Sequence, residues 1–174
     1  NKKMKVLVTG GLGFIGSHTV VELYNAGFEA VIIDNLSNSS INVLDGLEKI
    51  LGKKPEFENL DLRDKQSVQN FFQNHNDVVG VIHFAASKAV GESVENPLLY
   101  YENNINTLVY ILQELQQKEE ANFIFSSSCT VYGQAEKMPI TENASVQPAM
   151  SPYGNTKQIG EEIITDVTKV TNIN

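Results

Sequence analysis

The chain has 174 residues, and 13 Lys and Arg against 21 Asp and Glu give it a formal net charge of −8. This length suits one domain with its own core, and the excess of carboxylates disfavours nucleic acid as a partner, because no basic cluster offsets it. One cysteine, three histidines and the lack of a signal-peptide core or a long apolar run predict a cytoplasmic protein without disulfide, metal site or membrane span.

Short β-branched runs alternate with longer amphipathic segments, which is typical of a parallel sheet covered by helices on both faces. The predicted fold class is α/β, a doubly wound parallel sheet. The predicted elements, in chain order, are strand Lys5–Thr9, helix Phe14–Asn25, strand Ala30–Asp34, helix Ile41–Leu51, strand Glu56–Leu60, a helix capped by Asp64, strand Val79–Phe84, a helix from Asn96 and Pro97 to about Lys118, strand Asn122–Ser126, and a helix from Ser151 and Pro152 to about Lys169. The alternation calls for a sixth strand at 172–174, so we expect one domain over 1–174 that is cut before its last strands.

A glycine-rich segment, 10–16, lies between the first predicted strand and the first predicted helix. Gly10 would allow the tight turn, Gly13 the close approach of a pyrophosphate, and Gly16 the packing of helix on strand. Asp34 ends the second strand 18 residues after Gly16. Loop, context and acid together predict a dinucleotide site. Asp34 would accept hydrogen bonds from both ribose hydroxyls, and no arginine neighbours it to hold a 2′-phosphate, which favours NAD over NADP.

Tyr153 and Lys157 stand four residues apart at the start of the last predicted helix, and such residues share a helix face. An ammonium beside a phenol favours the phenolate, which makes the pair a candidate acid and base near neutral pH. The same spacing is common by chance on amphipathic helices. The serines 126–128 follow the fifth predicted strand, where the carboxyl edge of a parallel sheet binds ligands. We expect the glycine loop, Asp34, the serines and the Tyr-Lys pair to meet at that edge.

Five segments of the chain carry a resemblance to a known family: the glycine loop, 34–39, 88–93, 126–133 and 153–157. They resemble the motifs of the UDP-glucose (UDP-galactose) 4-epimerase family, which belongs to the extended short-chain dehydrogenases/reductases. The Tyr-x-x-x-Lys pair marks only the superfamily, whereas Lys-Ala-Val-Gly-Glu-Ser and Ser-Ser-Ser-x-Thr-Val-Tyr-Gly are far more specific. The resemblance spans essentially the whole chain and implies an NAD-binding Rossmann fold.

The resemblance also implies which residues hold the cofactor. Asp61 and Leu62 would lie at the adenine, and 84–86, Lys88 and Asn103 towards the nicotinamide. The full set of expected NAD contacts is Gly10, Gly13, Phe14, Ile15, Gly16, Asp34, Asn35, Asn38, Ser39, Asp61, Leu62, Phe84, Ala85, Ala86, Lys88, Asn103, Tyr153 and Lys157. Two departures from the family stand out, Ala86-Ser87 for the usual Gly-Leu and Cys129 for the usual Ala. We expect Cys129 to be a small buried side chain.

The implied reaction interconverts UDP-glucose and UDP-galactose. Tyr153 would take the proton of the sugar 4-hydroxyl while hydride leaves C4 for NAD⁺, and the resulting 4-keto sugar would turn over and take the hydride back. Lys157 would tune Tyr153 and bond the nicotinamide ribose, and Ser128 would hydrogen-bond the 4-oxygen. The UDP-sugar would thus contact Ser128 and Tyr153, and the rest of its site would lie in a further domain, since family members continue for about as much sequence again.

The family commonly forms homodimers through the two helices that begin at Pro97 and after Ser151. An apolar row on the first of them could supply the seam, although one such row must cover the sheet in any case. A second row, Val109 with Ile111, would be thin. The residues of the first row are Tyr101, Ile105, Leu108, Leu112 and Leu115.

Three alternatives compete with this interpretation. Nucleotide-sugar 4,6-dehydratases and decarboxylases need a further carboxylate just after the serine, and 129–131 supplies none, which disfavours both. Epimerases acting on UDP-glucuronate or UDP-N-acetylhexosamine stay open, because the further domain sets that choice. A dinucleotide-binding module without chemistry is the competitor from another class, and the retained Ser128, Tyr153 and Lys157 argue against a degenerate sensor.

Overall fold

The structure, a computed structural model, describes residues 4–174. Within that range strands and helices alternate, and a short 3-10 turn follows the last strand. The elements are β1 Lys5–Thr9, α1 Phe14–Asn25, β2 Glu29–Asp34, α2 Asn42–Leu51, β3 Glu56–Asn59, α3 Lys65–Asn74, β4 Val78–His83, α4 Val90–Glu95, α5 Pro97–Leu115, β5 Asn122–Phe125, the 3-10 turn Cys129–Tyr132 and α6 Pro152–Thr168.

The strands form one parallel sheet in the order β3-β2-β1-β4-β5. The chain moves outward from β1 through β2 to β3, then returns to place β4 and β5 on the other side of β1. This confirms the predicted doubly wound α/β class, and it puts the topological switch point between β1 and β4. β1 and β2 are buried almost throughout, as strands covered on both faces must be.

Residues 172–174 lie beside β5, at the place where a sixth strand was predicted. Ile173 forms a parallel bridge with Ala121, and the backbone N–H of Phe123 donates to the carbonyl oxygen of Asn174 at 2.8 Å. Asn174 in turn donates its N–H to Ala121 at 2.8 Å. These bonds follow the pattern of parallel pairing, so residues 172–174 extend the sheet beside β5.

Contacts divide the described residues into two compact units. The sheet unit comprises 4–85, 110–126 and 172–174, and the helix unit comprises 86–109 and 127–171. The sheet unit contains all five strands. Over 4–174 no helix combines the length and the apolar character that a membrane crossing requires.

Caps explain why several helices begin and end where the sequence predicts. The Asp64 carboxylate accepts a hydrogen bond from the N–H of Gln66 at 3.1 Å, and Ser151 Oγ accepts one from Gly154 at 3.1 Å. Gly52 ends α2 in the left-handed region, at φ +72°. These local signals need no tertiary contact, so the sequence suffices to predict them.

Three details of the sequence prediction are wrong. α4 was not predicted, because six residues are too few for a clear apolar period. α5 ends at Leu115 rather than near Lys118. Cys129 is exposed, not buried, because it is the first residue of the 3-10 turn.

The buried face of α5 also differs from the predicted row. Tyr100, Asn104 and Thr107 are buried, whereas Tyr101 and Ile105 are only partly buried. Leu108, Leu112 and Leu115 are buried as well. Polar Asn104 and Thr107 broke the apolar period on which the prediction depended. Ile111 is fully buried too, so it cannot belong to a second outward row with Val109.

Candidate functional site

In the glycine loop of the sheet unit, Gly16 lies so close to Gly10 that neither the contact nor the turn leaves space for a side chain. A Cβ on Gly16 would lie 2.3 Å from the carbonyl oxygen of Gly10, so α1 packs directly on the turn after β1. Gly10 has φ +67°, and its N–H donates to Ile33 at 2.8 Å. These two glycines therefore have the packing and turn roles predicted for them.

The start of α1 is open to a ligand. Gly13 caps the helix without any side-chain hydrogen bond, which leaves first-turn N–H groups without an intrahelical partner. The next two side chains, Phe14 and Ile15, are 80% and 60% exposed. Backbone donors at a helix start, together with the helix dipole, suit a phosphate group.

The Asp34 carboxylate, at the end of β2, organises the loop around it. Its Oδ1 accepts hydrogen bonds from Leu36 N at 3.0 Å and from Ser39 Oγ at 2.7 Å, and its Oδ2 accepts one from Leu12 N at 3.2 Å. A carboxylate offers about four acceptor positions. Oδ2 thus retains capacity for a ligand hydroxyl. Asn38, in the same loop, is exposed.

Asp61 is paired with the only arginine of the chain, Arg63. Arg63 Nη2 donates to Asp61 Oδ2 at 2.6 Å and its Nε to Oδ1 at 3.0 Å. The guanidinium holds the pKa of the Asp61 carboxyl below its usual value, and the Asn35 amide adds to this effect. The sheet unit thus brings together Asn35 and Asp61, two of the predicted NAD contacts. The side chain of Leu62 is buried.

The switch point between β1 and β4 is pinned by polar groups that the sequence did not reveal. Thr9 Oγ1 lies 2.7 Å from His83 Nδ1, and it accepts the N–H of Ala85 at 3.2 Å. A Cβ on Gly10 would lie 3.0 Å from the Ala85 nitrogen, so the glycine loop and the end of β4 are in contact. Half-buried Phe84 packs on the core beside them.

In the helix unit, Tyr153 and Lys157 lie on the first turns of α6, as predicted. Lys157 is only 5% exposed, and burial lowers the pKa of its ammonium to about 8. Its Nζ lies 6.0 Å from the centre of the Tyr153 ring. The ring of buried Tyr100 is nearly perpendicular to the same phenol, with ring centres 6.5 Å apart. The pair is therefore a buried cation beside a half-buried phenol.

Ser128 caps the 3-10 turn that follows β5, and its hydroxyl is oriented by Thr130. Ser128 Oγ accepts hydrogen bonds from Thr130 Oγ1 at 3.0 Å and from Thr130 N at 3.3 Å. Both lone pairs of the hydroxyl oxygen are used, so its hydrogen is left to donate to another group. Thr130 had no role in the sequence analysis.

The segment before α4 is held by two consecutive asparagines. Asn104 accepts the N–H of Ser87 at 2.8 Å and donates to the Ser87 carbonyl oxygen at 2.9 Å, while Asn103 Nδ2 donates to Ser87 Oγ at 2.6 Å. The next residue but one, Ala89, donates its N–H to Tyr100 Oη at 3.0 Å. Exposed Lys88 is therefore presented on a segment fixed from both sides. Ala86, just before this segment, is half-buried.

The predicted site residues fall into two groups. Within the sheet unit, the glycine loop, Asp34, Asp61 and 84–85 lie at the carboxyl ends of the strands. Within the helix unit, α5, α6 and the 3-10 turn carry Asn103, Tyr153, Lys157 and Ser128, and exposed Lys88 lies on the segment before α4. The meeting of both groups at one edge stays a prediction.

A Rossmann-type sheet with a glycine loop and a terminal β2 acid defines a dinucleotide-binding class of domain. A family model described as GDP-mannose 4,6 dehydratase matches residues 7–174, and the chain belongs to this family. The UDP-glucose 4-epimerase of Haemophilus influenzae is 47% identical over 166 residues, which are 95% of this chain and 49% of that protein. The Bacillus subtilis enzyme of the same name is 47% identical over 94% of this chain and 48% of its own.

The similar solved structures are 4-epimerases as well. The Bifidobacterium longum UDP-glucose 4-epimerase in complex with NAD⁺ and UDP has a TM-score of 0.90 and 42% identity, over 95% of this chain and 49% of that one. The UDP-Glc/GlcNAc 4-epimerase of Campylobacter jejuni has a TM-score of 0.87 and 34% identity, over 95% and 49%. The resemblance to 4-epimerases is confirmed, and the chain spans about half the length of the curated relatives it matches.

Proposed function

We propose that this chain is the NAD-binding domain of a UDP-sugar 4-epimerase that interconverts UDP-glucose and UDP-galactose. The observation that carries the proposal is the cluster of the helix unit, where a buried ammonium lies beside Tyr153 and a donor-oriented Ser128 lies in the adjoining turn. The relatives and neighbours named above are 4-epimerases, and they supply the substrate class. The catalytic test is argued in the Discussion.

The residues of the sheet unit fit NAD. Gly10 and Gly16 let α1 begin directly on the turn after β1, the first turn of α1 offers backbone donors, and Asp34 Oδ2 retains an acceptor position. When bound, NAD⁺ would supply a reversible hydride acceptor. Several neighbours, including the Bifidobacterium longum enzyme, were crystallised with NAD.

In the proposed mechanism the residues of this chain move and hold protons. Tyr153 Oη, as phenolate, takes the proton of the sugar 4-hydroxyl and later returns it. The Lys157 ammonium, with its pKa near 8, is charged at pH 7 and stabilises that phenolate. Ser128 Oγ, with both lone pairs occupied, donates its hydrogen bond to the 4-oxygen.

The remaining contacts to the substrate are assigned to a part of the protein beyond residue 174. We infer this from the relatives, which are about twice as long as the matched region. The chain itself, 1–174, is the cofactor domain in this proposal. The single cysteine of residues 1–174, which has no second cysteine there to pair with, also favours a cytoplasmic location.

The dehydratase named by the family model is the first alternative. Dehydration needs a further acid beside the serine, and the 3-10 turn Cys129–Tyr132 carries no carboxylate. The second alternative is another UDP-sugar, since the Campylobacter jejuni neighbour is a UDP-Glc/GlcNAc 4-epimerase. Assays of the full-length protein with UDP-galactose and UDP-N-acetylgalactosamine separate the two substrates.

We predict that the chain binds NAD⁺ more tightly than NADP⁺. A ribose hydroxyl can donate to Asp34 Oδ2, whereas a 2′-phosphate would be repelled by it, and Arg63 is committed to Asp61. Asp34→Ala should weaken NAD⁺ binding about tenfold or more, because a hydrogen bond to a charged group contributes roughly 1.5–3 kcal/mol. NADP⁺ binding should change less. Calorimetry with both cofactors measures the two affinities.

Two variants control this experiment. Asp34→Asn keeps an acceptor oxygen for Leu36 and Ser39, so it separates loss of charge from collapse of the loop. Asp45→Ala removes an exposed carboxylate of α2 and should bind both cofactors like the original. Equal or tighter binding of NADP⁺ by the unmodified chain would show that Asp34 is not the selector.

We propose a homodimer of the full-length protein through the outer faces of α5 and α6. Within the helix unit, α5 presents an outward apolar row: Leu98 is 80% exposed, and Tyr101, Ile105 and Val109 are only partly buried. Light scattering at micromolar concentration should give the dimer mass, and Ile105→Glu should give the monomer. Val170→Glu, at an exposed site beyond α6, should leave the dimer intact. A monomeric mass for the unmodified protein would reject this proposal.

A further inference from the structure

A carboxylate outside the predicted site ties the serine loop to the catalytic helix. Ser127 Oγ donates a hydrogen bond to Glu161 Oε1. Ser127 directly precedes Ser128, and Glu161 follows Lys157 by four residues on α6. One side-chain pair therefore joins the residue before Ser128 to the helix that carries Lys157 and Tyr153.

A second side chain of α6, Gln158, holds the other end of the 3-10 turn. Gln158 Nε2 donates to the carbonyl oxygens of Val131 at 2.8 Å and Gln147 at 2.6 Å, so it holds the far end of the 3-10 turn and the loop before α6. The Gly154 backbone closes on Thr130, where an added Cβ would lie 3.3 Å from the Thr130 Cβ. The near end of the turn, which carries Ser128, is held on α6 by the Ser127–Glu161 pair.

We propose that Glu161 is a positioning residue: through Ser127 it fixes where the Ser128 hydroxyl stands relative to Tyr153 on the same helix. Thr130 sets the direction of the Ser128 hydroxyl, and its contact with Gly154 places the middle of the turn on α6. The Ser127–Glu161 bond places the start of the turn, where Ser128 lies. The bond is charge-assisted, and such bonds are shorter and stronger than neutral ones.

The proposal rests on the proposed epimerase function for its kinetic consequence, but its structural consequence can be measured without it. Loss of the tie should free the backbone at the start of the 3-10 turn, where Thr130 N bonds Ser128 Oγ and Val131 N bonds the Ser128 carbonyl oxygen. Amide hydrogen exchange reports such local opening residue by residue.

The first arm of the test is hydrogen exchange on the full-length protein with NAD⁺. Glu161→Ala and Ser127→Ala should each speed exchange at Thr130 and Val131 about tenfold, and Glu161→Gln, which keeps an acceptor oxygen, should restore most of the protection. Glu162→Ala is the matched control, because Glu162 is the next residue of α6 and is exposed. Unchanged exchange in both alanine variants would overturn the positioning role.

The second arm is steady-state epimerisation by the same variants. Glu161→Ala and Ser127→Ala should lower kcat by roughly 10- to 100-fold, since a misplacement near 1 Å can cost about 100-fold, while KM and NAD⁺ affinity stay within about twofold. The double variant should lose no more than the worse single one, because both remove one bond. Glu161→Gln should recover most of kcat, and Glu162→Ala should match the original.

The outcomes separate the two proposals. Faster exchange in the variants of a protein that does not epimerise any UDP-sugar would reject the proposed function and keep the tie. An active protein whose Glu161→Ala variant retains kcat would reject the positioning role and keep the function. A loss of kcat that is matched by an equal loss of NAD⁺ affinity, or that adds in the double variant, would show general damage to the fold instead.

Discussion

Replacing Tyr153 with phenylalanine in the full-length protein should lower kcat by roughly 10²- to 10⁴-fold, the usual worth of a positioned acid-base group. The change removes one oxygen and leaves the ring against Tyr100, so the local packing is kept. NAD⁺ binding should therefore stay nearly unchanged. A coupled assay for UDP-glucose formed from UDP-galactose measures the loss, and calorimetry measures the cofactor.

Two further variants make this result specific. Tyr110→Phe removes a phenol from the sheet unit and should epimerise normally. Lys157→Met keeps the volume of a buried side chain but removes its charge, and it should lower both kcat and NAD⁺ affinity, because Lys157 serves the phenol and the cofactor ribose in the proposed mechanism. Near-normal turnover by Tyr153→Phe would refute the proton-transfer role.

The sheet could be predicted closely because its signals are local. A strand buried on both faces must be apolar in its interior, as Val6–Val8 in β1 and Ala30–Ile33 in β2 are. Helix caps such as Asp64 and Ser151 bond within their own first turn. α5 was harder to predict. Its buried face includes Asn104, whose partners Ser87 and Thr156 are distant in sequence, so no periodicity of apolar residues reveals that face.

The candidate site also contains residues that the sequence predicts and residues that it does not. Asp34 and the Tyr153-Lys157 pair follow from spacing, and the family motifs point to Ser128. The groups that orient them do not form a motif. Thr130 donates a hydrogen bond from its hydroxyl to the Ser128 hydroxyl, and Glu161 accepts one from Ser127, which is 34 residues away in the sequence. Glu161 could have been suspected from its spacing, one helical turn after Lys157. Its partner could not.

The chain of 174 residues, loaded with NAD⁺, should show no measurable epimerisation of UDP-galactose, whereas the full-length protein should turn over. Its own groups can move the proton, but hydride transfer needs a sugar held at the cofactor, and such orientation contributes roughly 7–11 kcal/mol to lowering a barrier. In the proposed function, the groups that hold the uracil, the diphosphate and the sugar ring belong to the other half of the relatives' length.

The experiment compares equal concentrations of the two proteins in the coupled assay. NAD⁺ binding by the 174-residue chain, measured by calorimetry, is the control that it is folded, because the glycine loop, Asp34 and Asp61 all lie within its sheet unit. Binding without turnover is the expected result. Robust turnover by the 174-residue chain would mean that its helix unit holds the nucleotide-sugar unaided, and the exposed Lys88 and the groove of about 480 Å³ between Tyr101 and Pro148 would then be the first places to look for that site.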